Sequence, residues 1–362
     1  MAAPVLRRSL LYVPASSPKM LTKSLTLASD NITYDLEDAV TESAKLAART
    51  ALKAHLEGLA QARSTAAATP HAPPTGKSEI AVRINAVSTR HALADLTTLG
   101  HRALSAVDAI VVPKVNAPSD LAFVADVVAH IRADASTALS DHDHDHDAQQ
   151  LRAAGPKLLA LVESARAVMD LRAICAEGVA ASNNNNNNST KARLDGLIFA
   201  AEDFALDLSL TRTPSLTEFL YARSAVVTAA RAFGLTSALD LVCTAFRGED
   251  GRATLADECR NGRGLGFTGK QCIHPTQVAV VQQVFGRVYD ESDRAELAWA
   301  VRVLVAAAKA AADGRGAFVL DGSMVDAPVL GKAQRLIDTA ERGGAGDFVQ
   351  TLREKHKDQE PE

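Results

Sequence analysis

Short apolar runs alternate with amphipathic stretches along most of the chain. The runs at 9–14, 32–38, 80–85, 109–115, 157–164, 194–203, 238–243 and 265–274 are short, rich in Ile, Val and Leu, and therefore predict strands. Between them, the stretches at 42–61, 88–99, 120–133, 165–177 and 216–233 carry apolar residues at helical spacing. Strands alternating with helices predict a parallel sheet with crossover helices. Eight of them predict an α/β fold of the TIM (β/α)8 barrel type, with an open doubly wound sheet as the alternative. Beyond about residue 290 the pattern is purely helical, over 293–312 and 329–342, around a Gly-rich bend at 313–316 and a loop at 320–328. The expected organisation is a barrel over 1–290, a C-terminal helical extension over 291–345 and a flexible tail over 346–362.

Three of the predicted strands end in acid. The strand at 32–38 ends in Asp35, Glu37 and Asp38, that at 157–164 in Glu163, and that at 194–203 in Glu202 and Asp203. A carboxylate at the end of a buried strand is costly unless it is paired, hydrogen-bonded or metal-bound. In a TIM barrel these ends share one rim, where the site lies. The remaining strand ends offer Arg83, Asn85, Lys114, Asp240, Lys270 and His274. Carboxylates mixed with a few cations suit Mg2+ holding an anionic, oxygen-rich substrate.

Composition changes this picture little. The 362 residues are 47% hydrophobic and 23% charged, with a formal net charge of −4, an ordinary globular balance. The mild negative charge and few aromatics (4%) argue against nucleic-acid partners, and no run is apolar and long enough to predict a membrane span. Cys175, Cys243, Cys259 and Cys272 show no CxxC spacing and read as reduced thiols of an intracellular protein. No acidic residue precedes Asp30, while Arg7, Arg8, Lys19 and Lys23 are basic, as in an organelle presequence. Because 9–14 reads as a structural strand, localisation stays open between mitochondrial matrix and cytoplasm. The Asp/His repeat at 141–147, the Asn run at 183–188 and the Ala/Thr/Pro-rich stretch at 64–78 read as tolerated loops. Residues 264–270 satisfy GxxxxGK, but Gln271 stands where a P-loop needs Ser or Thr, and the glycines fall within a predicted strand.

The segments RRSLLYVP (7–14), DLEDAV (35–40), VRIN (82–85), VPKV (112–115), VESA (162–165), EDF (202–204), GFTGKQ (266–271) and IHP (273–275) occur in the order found in the citrate lyase beta-subunit-like family. The chain resembles that family, part of the HpcH/HpaI aldolase superfamily, from Arg7 to about Leu330. The segment 322–328 is most similar to the citramalyl-CoA lyase branch.

The resemblance implies a Mg2+-dependent carbon–carbon lyase acting on a CoA thioester of the citramalyl-CoA or malyl-CoA type, with malate-synthase-like condensation as a further activity. It implies Glu163 and Asp203 as metal ligands, with Asp35, Glu37 and Asp38 orienting metal-bound water. Arg83 would hold a thioester enolate oxygen. Asp326 would be the acid/base, delivered from a neighbouring subunit of a homotrimer. Lys114, Lys270 and His274 are expected to contact the cofactor. Ala15 and Ala200-Ala201 depart from the family's glycines, which puts the acyl group in question more than the reaction. An aldolase of free 2-keto acids and a catalytically silent CoA-binding barrel are the alternatives.

Overall fold

The structure, a computed structural model, describes residues 6–67, 78–139, 155–180 and 191–362. The Asp/His repeat and the Asn run lie outside these residues. So does most of the 64–78 stretch, although residues 64–67 close a helix rather than begin a loop.

Eight strands form a closed parallel barrel in chain order, β1 to β8, with β1 pairing back onto β8. They are β1 (Ser9–Pro14), β2 (Asn31–Asp35), β3 (Glu79–Arg83), β4 (Ala109–Val112), β5 (Lys157–Val162), β6 (Arg193–Phe199), β7 (Ser237–Asp240) and β8 (Gly269–Cys272). The TIM-barrel expectation therefore holds. Leu10, Ala81, Ala109, Val111, Leu159, Leu161, Ile198 and Leu239 fill the interior, with Tyr12 and Ala200 packed against them towards the rim. Alternation along each strand sends the intervening residues outward, as with Tyr34, whose hydroxyl meets His55 of the helix Lys45–Ala67.

Most predicted strands end two or three residues earlier than expected. The apolar run at 194–203 is split: β6 stops at Phe199, and residues 201–208 form a helix. The last strand begins only at Gly269. Gly264 lies in the last turn of the preceding helix, which ends at Leu265, and Gly266 takes φ +102 in the turn, so these glycines precede the strand instead of lying in it. A P-loop follows a strand, so the geometry excludes that motif here. Gly269 has a separate packing reason. A Cβ there would stand 2.1 Å from Arg7 O, so only glycine lets β8 approach the chain entering β1.

Arg7 closes the N-terminal end of the barrel. Its guanidinium donates to both carboxylate oxygens of Glu79 at 2.6 Å, to Asp195 Oδ2 at 2.6 Å, and to the hydroxyls of Thr236 and Ser237 at 3.0 Å. Arg8 pairs with Asp30 at 2.8 Å. The basic start of the chain is thus used in barrel construction. Removing one member of a buried ion network leaves the others uncompensated, at a cost of about 3–5 kcal/mol. Arg7→Met is expected to lower the unfolding free energy by that amount, read as a lower urea midpoint at unchanged m-value. An unfolding free energy within about 0.5 kcal/mol of wild type would remove the network from the stability of the fold.

Residues 247–260 and 279–362 form a second compact unit. Its core gathers Leu297, Val301 and Val303 of the helix Glu291–Ala312 with Leu336 and Ile337 of the helix Ala327–Ala340. Two sequence expectations need correction here. Residues 318–325, read as helix-to-loop, form an antiparallel hairpin of Phe318–Leu320 and Ser323–Val325. Each strand has only three residues, too few for the alternating signal to register. Residues 346–355, expected within a flexible tail, form a helix that buries Val349 and Leu352 in this core. Its many charges lie on the opposite face and masked the pattern. Among the described residues no helix is long and apolar enough to cross a membrane.

Candidate active site at the barrel mouth

The C-terminal strand ends bring one acidic and basic cluster together. Asp35, the last residue of β2, stands opposite Arg83, the last residue of β3, in the ladder. Their side chains form a fork: Asp35 Oδ1 accepts from Arg83 Nε at 2.8 Å, and Oδ2 from Nη2 at 2.6 Å. The same carboxylate accepts the backbone N–H groups of Glu37 and Ala39, fixing the loop beyond β2. Arg83 Nη1 reaches towards Asp38 Oδ2 at 3.3 Å and Glu37 Oε2 at 3.2 Å. The guanidinium lies over the Tyr12 ring, 4.6 Å from its centre, a cation–π contact that fixes its height in the barrel.

Lys114 links the second half of the cluster. It lies two residues beyond β4 with φ +50, a left-handed conformation unusual for a side-chain-bearing residue. That turn aims its N–H at Glu163 Oε2, 2.7 Å away, and its Nζ at Glu37 Oε1, 2.8 Å away. Burial alone would lower the Lys114 pKa, but Glu37 and then Glu163 and Asp38 more than offset it, so the ammonium is held charged. Glu163 follows β5 directly and is buried. Burial first, and then the neighbouring Glu37 and Asp203 carboxylates, push its pKa up to about 8. Asp203 is half-buried in the first turn of the helix Ala201–Leu208, not on a strand as predicted.

These residues fit a hard divalent cation. Every candidate ligand atom is a carboxylate oxygen, and Glu37 Oε2 is buried without a hydrogen bond. Burial and the neighbouring Glu37 and Asp203 carboxylates disfavour the ionised form of Glu163, a tension that a bound cation would relieve. Among the described residues no three His, Cys, Asp or Glu side chains converge as a complete metal cage. Mg2+ commonly takes one or two protein carboxylates and leaves positions for water and substrate.

Other sequence candidates fall elsewhere. Lys270 is the second residue of β8, wholly buried, with Ser9 and Asp240 as ladder neighbours. Alternation gives the inward position to Gln271, so Lys270 faces away from the barrel mouth. The sequence reading started the strand four residues too early and carried Lys270 to the rim. His274 lies beyond β8, stacked on Phe246 at 5.0 Å and bonded to Thr276, with no hydrogen bond to the carboxylate cluster. Asp326 belongs to the second unit, where its Oδ1 caps the helix Ala327–Ala340 by accepting from Val329 N at 3.3 Å. Glu202, left without a role by the sequence, pairs with Arg212 at 2.5 Å, and Arg212 also donates to Val242 O. It anchors the loop leading away from the Ala201–Leu208 helix.

Two residues of the mouth escaped the sequence reading. The Tyr12 hydroxyl donates to Gln271 Oε1 at 2.9 Å, and the Gln271 amide donates to Phe199 O and Asp240 O. Together they form a polar floor joining β1, β6, β7 and β8. The signal was available, since Tyr12 shares the inward face of β1 with Leu10.

Residues 8–275 match the HpcH/HpaI aldolase/citrate lyase family over most of the chain. The chain belongs to that family. Within the HpcH/HpaI family it is 33% identical to the mitochondrial citramalyl-CoA lyase of Rattus norvegicus, over 92% of this chain and 86% of that protein. It is 35% identical to a citrate lyase subunit beta-like protein of Deinococcus radiodurans, over 93% of this chain and 98% of that protein. Among solved structures, CitE of Mycobacterium tuberculosis in complex with magnesium, acetoacetate and coenzyme A is 27% identical, with a TM-score of 0.63. That alignment covers 94% of this chain and 100% of CitE. Membership of the HpcH/HpaI family makes the chain a carbon–carbon lyase.

Proposed function

We propose that this enzyme is a Mg2+-dependent lyase that cleaves a 3-hydroxyacyl-CoA of the citramalyl-CoA or malyl-CoA type to acetyl-CoA and pyruvate or glyoxylate. The observation that carries this reading is the pairing, at one barrel mouth, of a carboxylate cluster suited to Mg2+ with the fixed Arg83 guanidinium. The citramalyl-CoA lyase and the CoA-bound CitE relatives support the thioester class.

The reaction breaks the bond between the carbinol carbon and the carbon next to the thioester. The hydroxyl loses its proton and becomes a carbonyl, the electron pair of the broken bond moves into the thioester enolate, and the enolate carbon gains a proton. Glu163 and Asp203 would hold Mg2+, which would supply Lewis acidity to the substrate. Glu37, Asp35 and Asp38 would support the metal site by orienting water. Arg83 offers Nη1 to the enolate oxygen, since Asp35 already occupies Nε and Nη2 and fixes the plane of the fork. Lys114 holds Glu37 and Glu163 in register through its side chain and its backbone. Asp326 of a neighbouring copy in a homotrimer moves the proton on or off the acetyl carbon. The rat relative is named as mitochondrial, which favours the mitochondrial matrix over the cytoplasm for this enzyme.

Incubation of citramalyl-CoA, malyl-CoA and methylmalyl-CoA with purified enzyme, with and without Mg2+, tests the reading. Metal-dependent release of acetyl-CoA or propionyl-CoA is expected. Cleavage of the free hydroxy acids with the thioesters ignored would make the enzyme an aldolase instead. In the same system Glu163→Gln is expected to weaken Mg2+ binding about 100-fold, because the site loses one ligand charge and gains a poor amide donor. Calorimetric affinity equal to wild type would remove Glu163 from the metal site.

A further inference from the structure

The hairpin that leads into Asp326 is small. Its two strands have three residues each, joined by a two-residue turn in which Asp321 (φ +52) and Gly322 (φ +71) both take positive φ. Such a hairpin is marginal by itself. Phe318, Leu320 and Val325 anchor its inner face in the core of the second unit, whereas Met324 is exposed. The turn is gripped from outside that core. Arg302, on the helix Glu291–Ala312, donates Nη1 to Asp321 Oδ2 at 2.9 Å and Nη2 to Oδ1 at 2.6 Å. Its third donor, Nε, reaches Gln359 Oε1 at 2.7 Å.

The last residues of the chain continue the grip. Glu362 N donates to Val319 O at 2.9 Å, adding a backbone bond to the first hairpin strand. Glu362 Oε1 accepts from Asp321 N at 3.2 Å, and Glu360 pairs with Lys309 at 2.5 Å on the same helix as Arg302. One guanidinium therefore ties the turn to residues 359–362, and Val325, at the other end of the hairpin, is followed directly by Asp326.

We infer that residues 359–362 are a clasp, with Arg302 as its positioning residue, that holds the hairpin and so sets where Asp326 is presented for proton transfer. This rests on the reading of Asp326 as the acid/base. Bidentate Arg–carboxylate contacts fix geometry as well as energy, and small misplacement of a reacting group can cost about 100-fold in rate.

The test uses the full enzyme with three changes: deletion of residues 359–362, Gln359→Leu and Gln359→Glu. The deletion is expected to lower kcat at least tenfold with KM and Mg2+ affinity unchanged. Gln359→Leu is expected to lower it less, and Gln359→Glu, which keeps an acceptor for Arg302, to restore it. Hydrogen exchange at the Asp321 and Val325 amides is expected to quicken in the deletion and in Gln359→Leu alone. A deletion that leaves both kcat and amide exchange at wild-type values overturns the clasp. Faster exchange with unchanged kcat, in an enzyme that Asp326→Asn inactivates, overturns its positioning role. Full turnover in Asp326→Asn instead removes the acid/base reading, and amide exchange then still reports whether the tail holds the hairpin.

Discussion

Replacing Asp326 by Asn is expected to lower turnover about 1000-fold while leaving Mg2+ affinity unchanged, within the range typical of a lost general acid or base. Asn is the informative substitution because Asp326 caps a helix. Its Oδ1 accepts the Val329 N–H, and an Asn side chain can keep that bond. Alanine would remove the cap as well, at about 0.5–2 kcal/mol, and mix a folding effect with a chemical one. The Asn amide cannot take up or deliver the proton that the acetyl carbon exchanges. Single-turnover rates beside a Mg2+ titration separate these possibilities. Wild-type turnover in Asp326→Asn would leave Asp326 with the helix cap as its whole role.

Arg83→Lys is expected to lower kcat/KM about 100-fold or more. Three donors of Arg83 are in use or on offer at once, with Nε and Nη2 on Asp35 and Nη1 at the mouth. A lysine ammonium is a compact point charge and cannot reproduce that planar fork. The Tyr12 ring beneath the guanidinium would also lose a partner for its face. Asp35 would keep the Glu37 and Ala39 amides, so the loop beyond β2 should survive the change. Thermal melting within a few degrees of wild type, together with the kinetic loss, is the expected pair of results. A lysine variant within threefold of wild-type activity would make Arg83 a structural partner of Asp35 and nothing more.

The barrel was legible because its strands are short and apolar and alternate with helices, and β1 appears in the sequence with the ends it has in the structure. Asp35 and Arg83 were legible as strand ends, but not as one fork. That pairing depends on ladder register, which a single strand does not reveal. The placements of Asp203 and Lys270 were not legible. An apolar run does not show where β6 gives way to a helix, and a glycine-rich turn looks like the start of β8. The role of Lys114 depends on a left-handed backbone that no composition rule assigns to lysine. The hairpin before Asp326 was missed because three residues per strand give no usable period.

The Arg7 plug has a consequence for biosynthesis. Arg7 is made well before its partners Asp195, Thr236 and Ser237, which follow it by 188, 229 and 230 positions. At ribosomal speeds of about 5–20 residues per second, the guanidinium waits about 10–40 s for Asp195 alone. During that interval β1 has only β2 beside it, since β8 has not been synthesised. The nascent chain therefore carries an unclosed sheet edge until β8 has been made, and the barrel can seal only then. A folding helper that shields the first strand until then would raise the yield of this enzyme more than one acting after release.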